Sequence, residues 1–182
     1  MSKLIAINHL DDIPFPYRQT PIGLLVSYHN RLQEFEPYEK AQLLVGMCMD
    51  NRKHLHIPDN FTFIIRSGGA NLKYSEFKVS YAIAIGDIQH IALIGHNNCG
   101  MVNLEARRNL FIEGLIEKAG WDRMFAEEHF NHYAPVFEIG NEINFILSET
   151  KRLRLRYPMI MVAPLFYQVE DSKLYFIKET SI

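Results

Sequence analysis

His90-Ile91-Ala92-Leu93-Ile94-Gly95-His96-Asn97-Asn98-Cys99-Gly100 is the stretch that decides the reading of this chain. Its first part is a short apolar run, the pattern of a strand buried on both faces. The run ends on a histidine, and a cysteine stands three residues further on. Imidazole and thiolate are both metal donors, so a possible His-x-x-Cys pair follows directly on a strand end.

Two similar runs lie upstream. Ala41-Gln42-Leu43-Leu44-Val45-Gly46-Met47-Cys48 and Phe61-Thr62-Phe63-Ile64-Ile65-Arg66 also read as buried strands. A helix is predicted from the Thr20-Pro21 start signal to about Phe35. Another is predicted from Ser75 to Ile85, closed by Gly86 as a left-handed cap. Helical stretches are expected from Cys99 to about Gly120, over roughly 122–133, and from Glu138 to Tyr157. In the last, Ile139, Ile143, Ile146, Leu147 and Leu153 share a face. Final strands are expected over 158–168 and 174–177, and residues 8–18 read as an irregular arm. Short buried strands alternating with helices predict an α/β fold, a mostly parallel β-sheet covered by helices. One catalytic domain over 1–182 is expected, with 1–40 as N-terminal arm and helix. Sites in such sheets gather beyond the carboxyl ends of the strands, where Cys48 and His96 both fall.

Around Cys48 the chain reads Cys48-Met49-Asp50-Asn51-Arg52. Cys48, His96 and Cys99 together make a sulfur, nitrogen, sulfur donor set suited to zinc. Three protein ligands leave a fourth position open, as in catalytic rather than structural sites. Water at such a position can lose a proton near neutral pH. Asp50 and Arg52 are two residues apart, and an extended segment would place both on the side of Cys48. An arginine can hold a carboxylate with two parallel hydrogen bonds and keep it ionised and aimed.

Cys-x-Asp-x-Arg followed by His-x-x-Cys-Gly resembles the signature of the β-class carbonic anhydrases. Ile65-Arg66-Ser67-Gly68-Gly69-Ala70 resembles that family's Arg-Asn-Ala-Gly stretch, and Ile91 to His96 its strand into Gly-His. The resemblance is strong over residues 41–102 and extends as a helix and strand pattern over 138–178. It implies Zn2+ on Cys48, His96 and Cys99, and Asp50 and Arg52 as the catalytic dyad. Gly68, Gly69, Gly95 and Gly100 match positions where the backbone packs tightly. The implied activity is reversible hydration of carbon dioxide to bicarbonate and a proton (carbonate dehydratase, a zinc lyase), in a homodimer or an assembly of dimers. Relatives of that family also hydrolyse carbonyl sulfide or carbon disulfide. In some, the Asp leaves the Arg and takes the fourth metal position at low pH. The chain departs from the pattern in Asn51, in a shortened interval between Cys48 and His96, and in lacking a glycine over 161–165. Gln42 does not match the position of the substrate-holding Gln that some members use. The alternative from another class is a non-enzymatic zinc or thiol sensor.

Composition narrows the field. Nearly half of the 182 residues are apolar, and 19 Lys and Arg stand against 21 Asp and Glu, a net charge of -2. That balance argues for neither nucleic acid nor an anionic membrane as partner. Met1 to His9 does not read as a signal peptide, and no apolar stretch reaches spanning length, so a soluble cytoplasmic protein is expected. Two cysteines are too few for a disulfide framework.

Other polar clusters read first as structural. His54 and His56 are taken as surface histidines, with proton shuttling the alternative. His129 and His132, near Glu127 and Glu128, are taken as a solvated helix face. Lys151, Arg152, Arg154 and Arg156 suit a helix C-terminus. Trp121, Phe125, Phe130, Tyr133 and Phe137 suit core packing or a subunit interface.

Overall fold

The computed structural model describes residues 4–179; Met1–Lys3, at the head of the segment read against a signal peptide, lie outside it. Six strands form one sheet in the order β1-β6-β5-β4-β2-β3. They are β1 (Leu4–Ile5), β2 (Leu43–Met47), β3 (Thr62–Arg66), β4 (His90–His96), β5 (Met161–Gln168) and β6 (Lys173–Ile177). β3, β2, β4 and β5 run parallel, and β6 and β1 continue the edge antiparallel. The helices are α1 (Pro21–His29), α2 (Glu76–Ala84), α3 (Arg108–Ala119), α4 (Arg123–Phe137) and α5 (Glu142–Arg156).

The apolar runs serve two cores at once. Leu43, Val45 and Met47 of β2, with Ala92 and Ile94 of β4, face α1 through Ile22, Leu25 and Val26. Leu44, Ile91 and Leu93 face the other way, onto Val79 and Ala82 of α2 and Ile146 and Leu153 of α5. Alternate residues of a strand point to opposite faces, so continuous runs bury both sides of the sheet.

Several boundaries differ from the sequence reading. α1 stops at His29, short of Phe35. Arg31 is left-handed at φ 59, and the Asn30 side chain is bonded to Ile7 and to both backbone groups of Leu174. Residues 99–104 form turns rather than helix, because Asn103 is left-handed and the Asn103 and Leu104 amides donate to the Glu138 carboxylate; a single 3-10 turn, Glu105–Arg107, then leads into α3. α4 runs on past Tyr133 through Pro135; that proline sits in the last turn, where it costs one helical hydrogen bond and crowds one carbonyl, and Glu138 N–H still reaches Ala134 O. α5 begins at Glu142, after Asn141 caps it by accepting from Asn144 N–H. Gly86 is not the left-handed cap. Asp87 is, at φ 56, and a Cβ on Gly86 would lie 2.6 Å from Ala82 O. Strand β1, in the arm, carries no sequence signal at two residues long.

Candidate metal centre

β2 and β4 are parallel neighbours, with Met47 opposite Ile94. Cys48 leaves the end of β2 and His96 closes β4, so both reach the same carboxyl edge. Asn98 turns the chain at φ 54 and brings Cys99 back. The ligand atoms of Cys48, His96 and Cys99 lie within 4.8 Å of one another, and all three residues are buried. The two sulfurs are 3.9 Å apart, and both cysteines are free.

Each donor is set by its neighbours. His96 Nδ1 lies 2.8 Å from the Asn97 carbonyl. A carbonyl only accepts, so Nδ1 carries the hydrogen and Nε2 offers its lone pair. That Nε2 is buried without a hydrogen-bond partner. Asn97 is pinned in turn: its amide donates to Glu170 and its oxygen accepts from Val169 N–H. Cys48 Sγ accepts from Gly69 N–H at 3.3 Å. The hydrogen bond from Cys99 pulls the Cys48 pKa down and pushes that of Cys99 up. Gly69 sits at φ 61, where a Cβ would lie 2.6 Å from Ile139 Cγ2. Gly95 is likewise tight, but a Cβ on Gly100 would meet nothing within 4 Å. The expectation of close packing at Gly100 is therefore corrected. An orphaned buried nitrogen facing two thiols fits a metal ion.

Asp50 and Arg52 pair as expected, but through a turn and not an extended segment. Arg52 N–H donates to Asp50 Oδ1 at 2.9 Å. The guanidinium adds Nε to Oδ1 at 3.0 Å and Nη2 to Oδ2 at 2.6 Å. Arg52 Nη2 also reaches Asn98 O at 2.9 Å, tying the two motif segments together. These bonds hold the Asp50 carboxyl well below the usual carboxylate range. Asp50 Oδ2 lies 4.0 Å from His96 Nε2, so the dyad borders the donor triad.

Two residues of the site carry no role in the sequence reading. Arg66, at the end of β3, donates to the backbone carbonyls of Cys48, Asp50 and Lys53 at 3.2, 3.5 and 3.0 Å. It shapes the loop that carries the dyad; the sequence reading placed it in the Ile65–Ala70 motif but gave it no role. Lys53 has 0% exposure, and its Nζ lies 3.6 Å from Asp50 Oδ1. Burial lowers the Lys53 pKa, against the opposing pull of Cys48, Asp50 and Cys99. Nothing in Arg-Lys-His marks that lysine as buried.

The remaining clusters lie apart from the triad. His56 packs at a tilt against Phe35 and donates its backbone N–H to His29, while His54 is exposed. His129 packs among Phe111, Trp121 and Tyr133. Among the described residues, no potential metal-holding group includes His129 or His132. Arg152 and Arg156 pair with Glu76, and Arg154 with Glu179. In the aromatic stretch Phe130 is buried, whereas Trp121, Phe125 and Tyr133 are exposed.

A cavity of about 410 Å³ adjoins the centre, lined among others by Met49, Gly68, Met101, Leu104, Phe130 and Phe137. Its wall is almost entirely apolar. Met49 follows Cys48 in the chain, and Met101 packs against the cluster of Cys48, Cys99 and Ile139, so these two methionines stand between the cavity and the sulfur pair.

Comparisons with protein-family models and with curated proteins find no match for the sequence. Solved structures do match. β-Carbonic anhydrase isoform I from Trichomonas vaginalis superposes with a TM-score of 0.64 at 18% identity, over 83% of this chain and 91% of that one. A carbonic anhydrase from Glaciozyma antarctica gives 0.59 at 19% identity, over 91% and 99%. An apo carbon disulfide hydrolase gives 0.57 at 20% identity, over 78% and 80%. The chain has the β-carbonic-anhydrase-like α/β fold. Among the described residues no helix is long and apolar enough to cross a membrane.

Proposed function

We propose that this chain is a zinc-dependent carbonic anhydrase of the β class, catalysing reversible hydration of carbon dioxide. One observation carries the reading: a buried sulfur, nitrogen, sulfur triad and an arginine-held carboxylate meet at one sheet edge, with Asp50 Oδ2 4.0 Å from His96 Nε2. Two zinc–sulfur bonds of ~2.3 Å at a tetrahedral angle would set the sulfurs ~3.8 Å apart, against 3.9 Å here.

Cys48, His96 and Cys99 would hold the zinc, which supplies a Lewis acid that lowers the pKa of water toward neutrality. His96 keeps its Nε2 lone pair because Nδ1–H is committed to the Asn97 carbonyl. Asp50 accepts a hydrogen from the nucleophilic water at Oδ2, the oxygen nearer the triad, and so aims its lone pair. Arg52 keeps Asp50 ionised and fixes its plane through three side-chain contacts. The apolar cavity receives an uncharged linear substrate and sheds water from it. Stopped-flow hydration of carbon dioxide, on protein of measured zinc content, tests the reading. About one zinc per chain and chelator-sensitive hydration are expected; full zinc loading without hydration would overturn it.

The cavity also favours a second reading. Carbonyl sulfide and carbon disulfide are uncharged, linear and more polarisable, and Met49 and Met101 offer them soft thioether walls. Parallel assays of the three substrates on one zinc-loaded preparation decide between the readings. We further infer a homodimer or an assembly of dimers from the exposed Trp121, Phe125 and Tyr133 of the α3–α4 hairpin. Sedimentation as a monomer at micromolar concentration would exclude that assembly. We also propose a cytoplasmic setting; a net charge of -2 supplies no electrostatic attraction to nucleic acid or an anionic membrane.

A further inference from the structure

Lysine is among the residues least often fully buried, because its ammonium is costly to remove from water without a partner. Lys53 is completely buried. Its Nζ makes no hydrogen bond in the structure, and the carboxylate it approaches is Asp50, at 3.6 Å. The inward course is imposed by the backbone. Arg66 clamps the carbonyls of Cys48, Asp50 and Lys53, and Arg52 and His54 on either side point outward.

Asp50 is thus held from two directions. Arg52 grips it from the solvent side, where its side chain is 43% exposed and screening weakens a charge pair. Lys53 approaches from the interior, where the same charge acts through a lower dielectric. The two carboxylate oxygens are distinguished by this arrangement. Oδ1 faces Lys53 Nζ, whereas Oδ2 lies nearer His96 Nε2.

We propose that Lys53 is a positioning residue: its buried ammonium holds Oδ1 of Asp50 and thereby keeps Oδ2 turned toward the donor triad. Its pairing with Asp50 stands on the geometry alone. Its consequence for turnover rests on the carbonic anhydrase reading.

The test is a double-mutant cycle of Lys53→Met and Asp50→Asn, with two readouts. The first is urea unfolding of metal-free protein, which needs no activity. Asp50→Asn removes the carboxylate that faces the buried ammonium and should lower the midpoint. Adding Lys53→Met should restore at least about half of that loss. A Lys53→Met effect of the same sign and size in both backgrounds would overturn the pairing. If Lys53→Met alone does not fold, Lys53→Gln replaces it in the same cycle. The second readout is hydration by the zinc-loaded proteins. Lys53→Met should cut kcat about tenfold, with KM changed less than about twofold, and should change kcat less than about twofold when Asp50 is already Asn. Equal loss of kcat in both backgrounds, or none in the first, would overturn the positioning role. A wild-type protein that holds zinc but does not hydrate carbon dioxide would sink the functional reading, and the urea cycle would still decide the pairing.

Discussion

Gly95→Ala should damage both stability and metal binding. The new Cβ would lie 2.6 Å from Ile146 Cγ1, 3.4 Å from its Cδ1 and 3.5 Å from Phe166 Cδ2. Carbon atoms sit comfortably at ~3.5–4.0 Å, so β4 and α5 must separate by about 1 Å at this point. Cγ1 is not the free end of the side chain, and Ile146 is 1% exposed, so rotation alone does not relieve the contact. Overpacking of this kind costs about 1–3 kcal/mol. The displacement also falls one residue before His96, and misplacing a site group by ~1 Å costs on the order of 100-fold in function. Urea unfolding of metal-free protein measures the first effect, and competition with a chelator measures the second as weakened zinc binding. Ile146→Ala supplies the control. Alone it should cost ~2–5 kcal/mol by leaving a cavity. Combined with Gly95→Ala, that cavity takes up the new methyl, so the double variant should be at least ~1 kcal/mol more stable than the sum of the singles implies. Strictly additive costs, with zinc affinity unchanged in Gly95→Ala, would refute the argument that Ile146 sets the position of His96.

Cys99→Ser should lose most of the bound zinc while the sheet persists, since Cys99 lies in a turn beyond β4; full zinc by elemental analysis would remove it from the ligand set. Asp50→Asn should retain zinc but slow hydration by about 100-fold or more, because the amide keeps the shape and loses the charge that Arg52 grips. Near-normal turnover would make the dyad purely structural. His29 should make the fold acid-sensitive: burial pulls its pKa from 6.5 to about 4, so its stabilising neutral form is complete above pH ~6.5 and about 3 kcal/mol is lost as the pH falls toward 4. Urea midpoints of metal-free wild type and His29→Gln should converge in acid; parallel pH profiles would exclude this role.

The sheet was legible because its inner strands are buried on both faces and read as unbroken apolar runs, from Leu43 to Met47 and from Ile91 to Ile94. The donor triad was legible for a related reason: two of its members end such runs, so locating the strands located the donor side chains. Helix ends were less legible because they are set by distant partners. Asn30 is committed to Leu174 on β6, and the amides of Asn103 and Leu104 to Glu138. The roles of Arg66 and Lys53 were not legible. Arg66 acts on a loop that begins far away in sequence, and for Lys53 residue type alone does not show whether a charge points outward or in.

The dyad and the triad are held by different means, and this bears on how the site tolerates change. His96 belongs to a strand paired on both sides, so its place follows from the sheet. Asp50 lies in a loop held to the rest of the fold by the Arg66 guanidinium, by Arg52 on Asn98 O and by Met49 N–H on Ser67 O, and its carboxylate is approached by two cations, Arg52 and Lys53. Metal binding should therefore survive most damage to the loop, whereas turnover should not. The cavity wall is separate again, since part of it comes from α3 and α4, which carry their own small core of Ile112, Ala126 and Phe130. Choice among small apolar substrates can thus vary with the hairpin while the ligand set and the dyad stay fixed. On the proposed reading, that division would let one zinc site take carbon dioxide or its sulfur analogues according to the wall beside it.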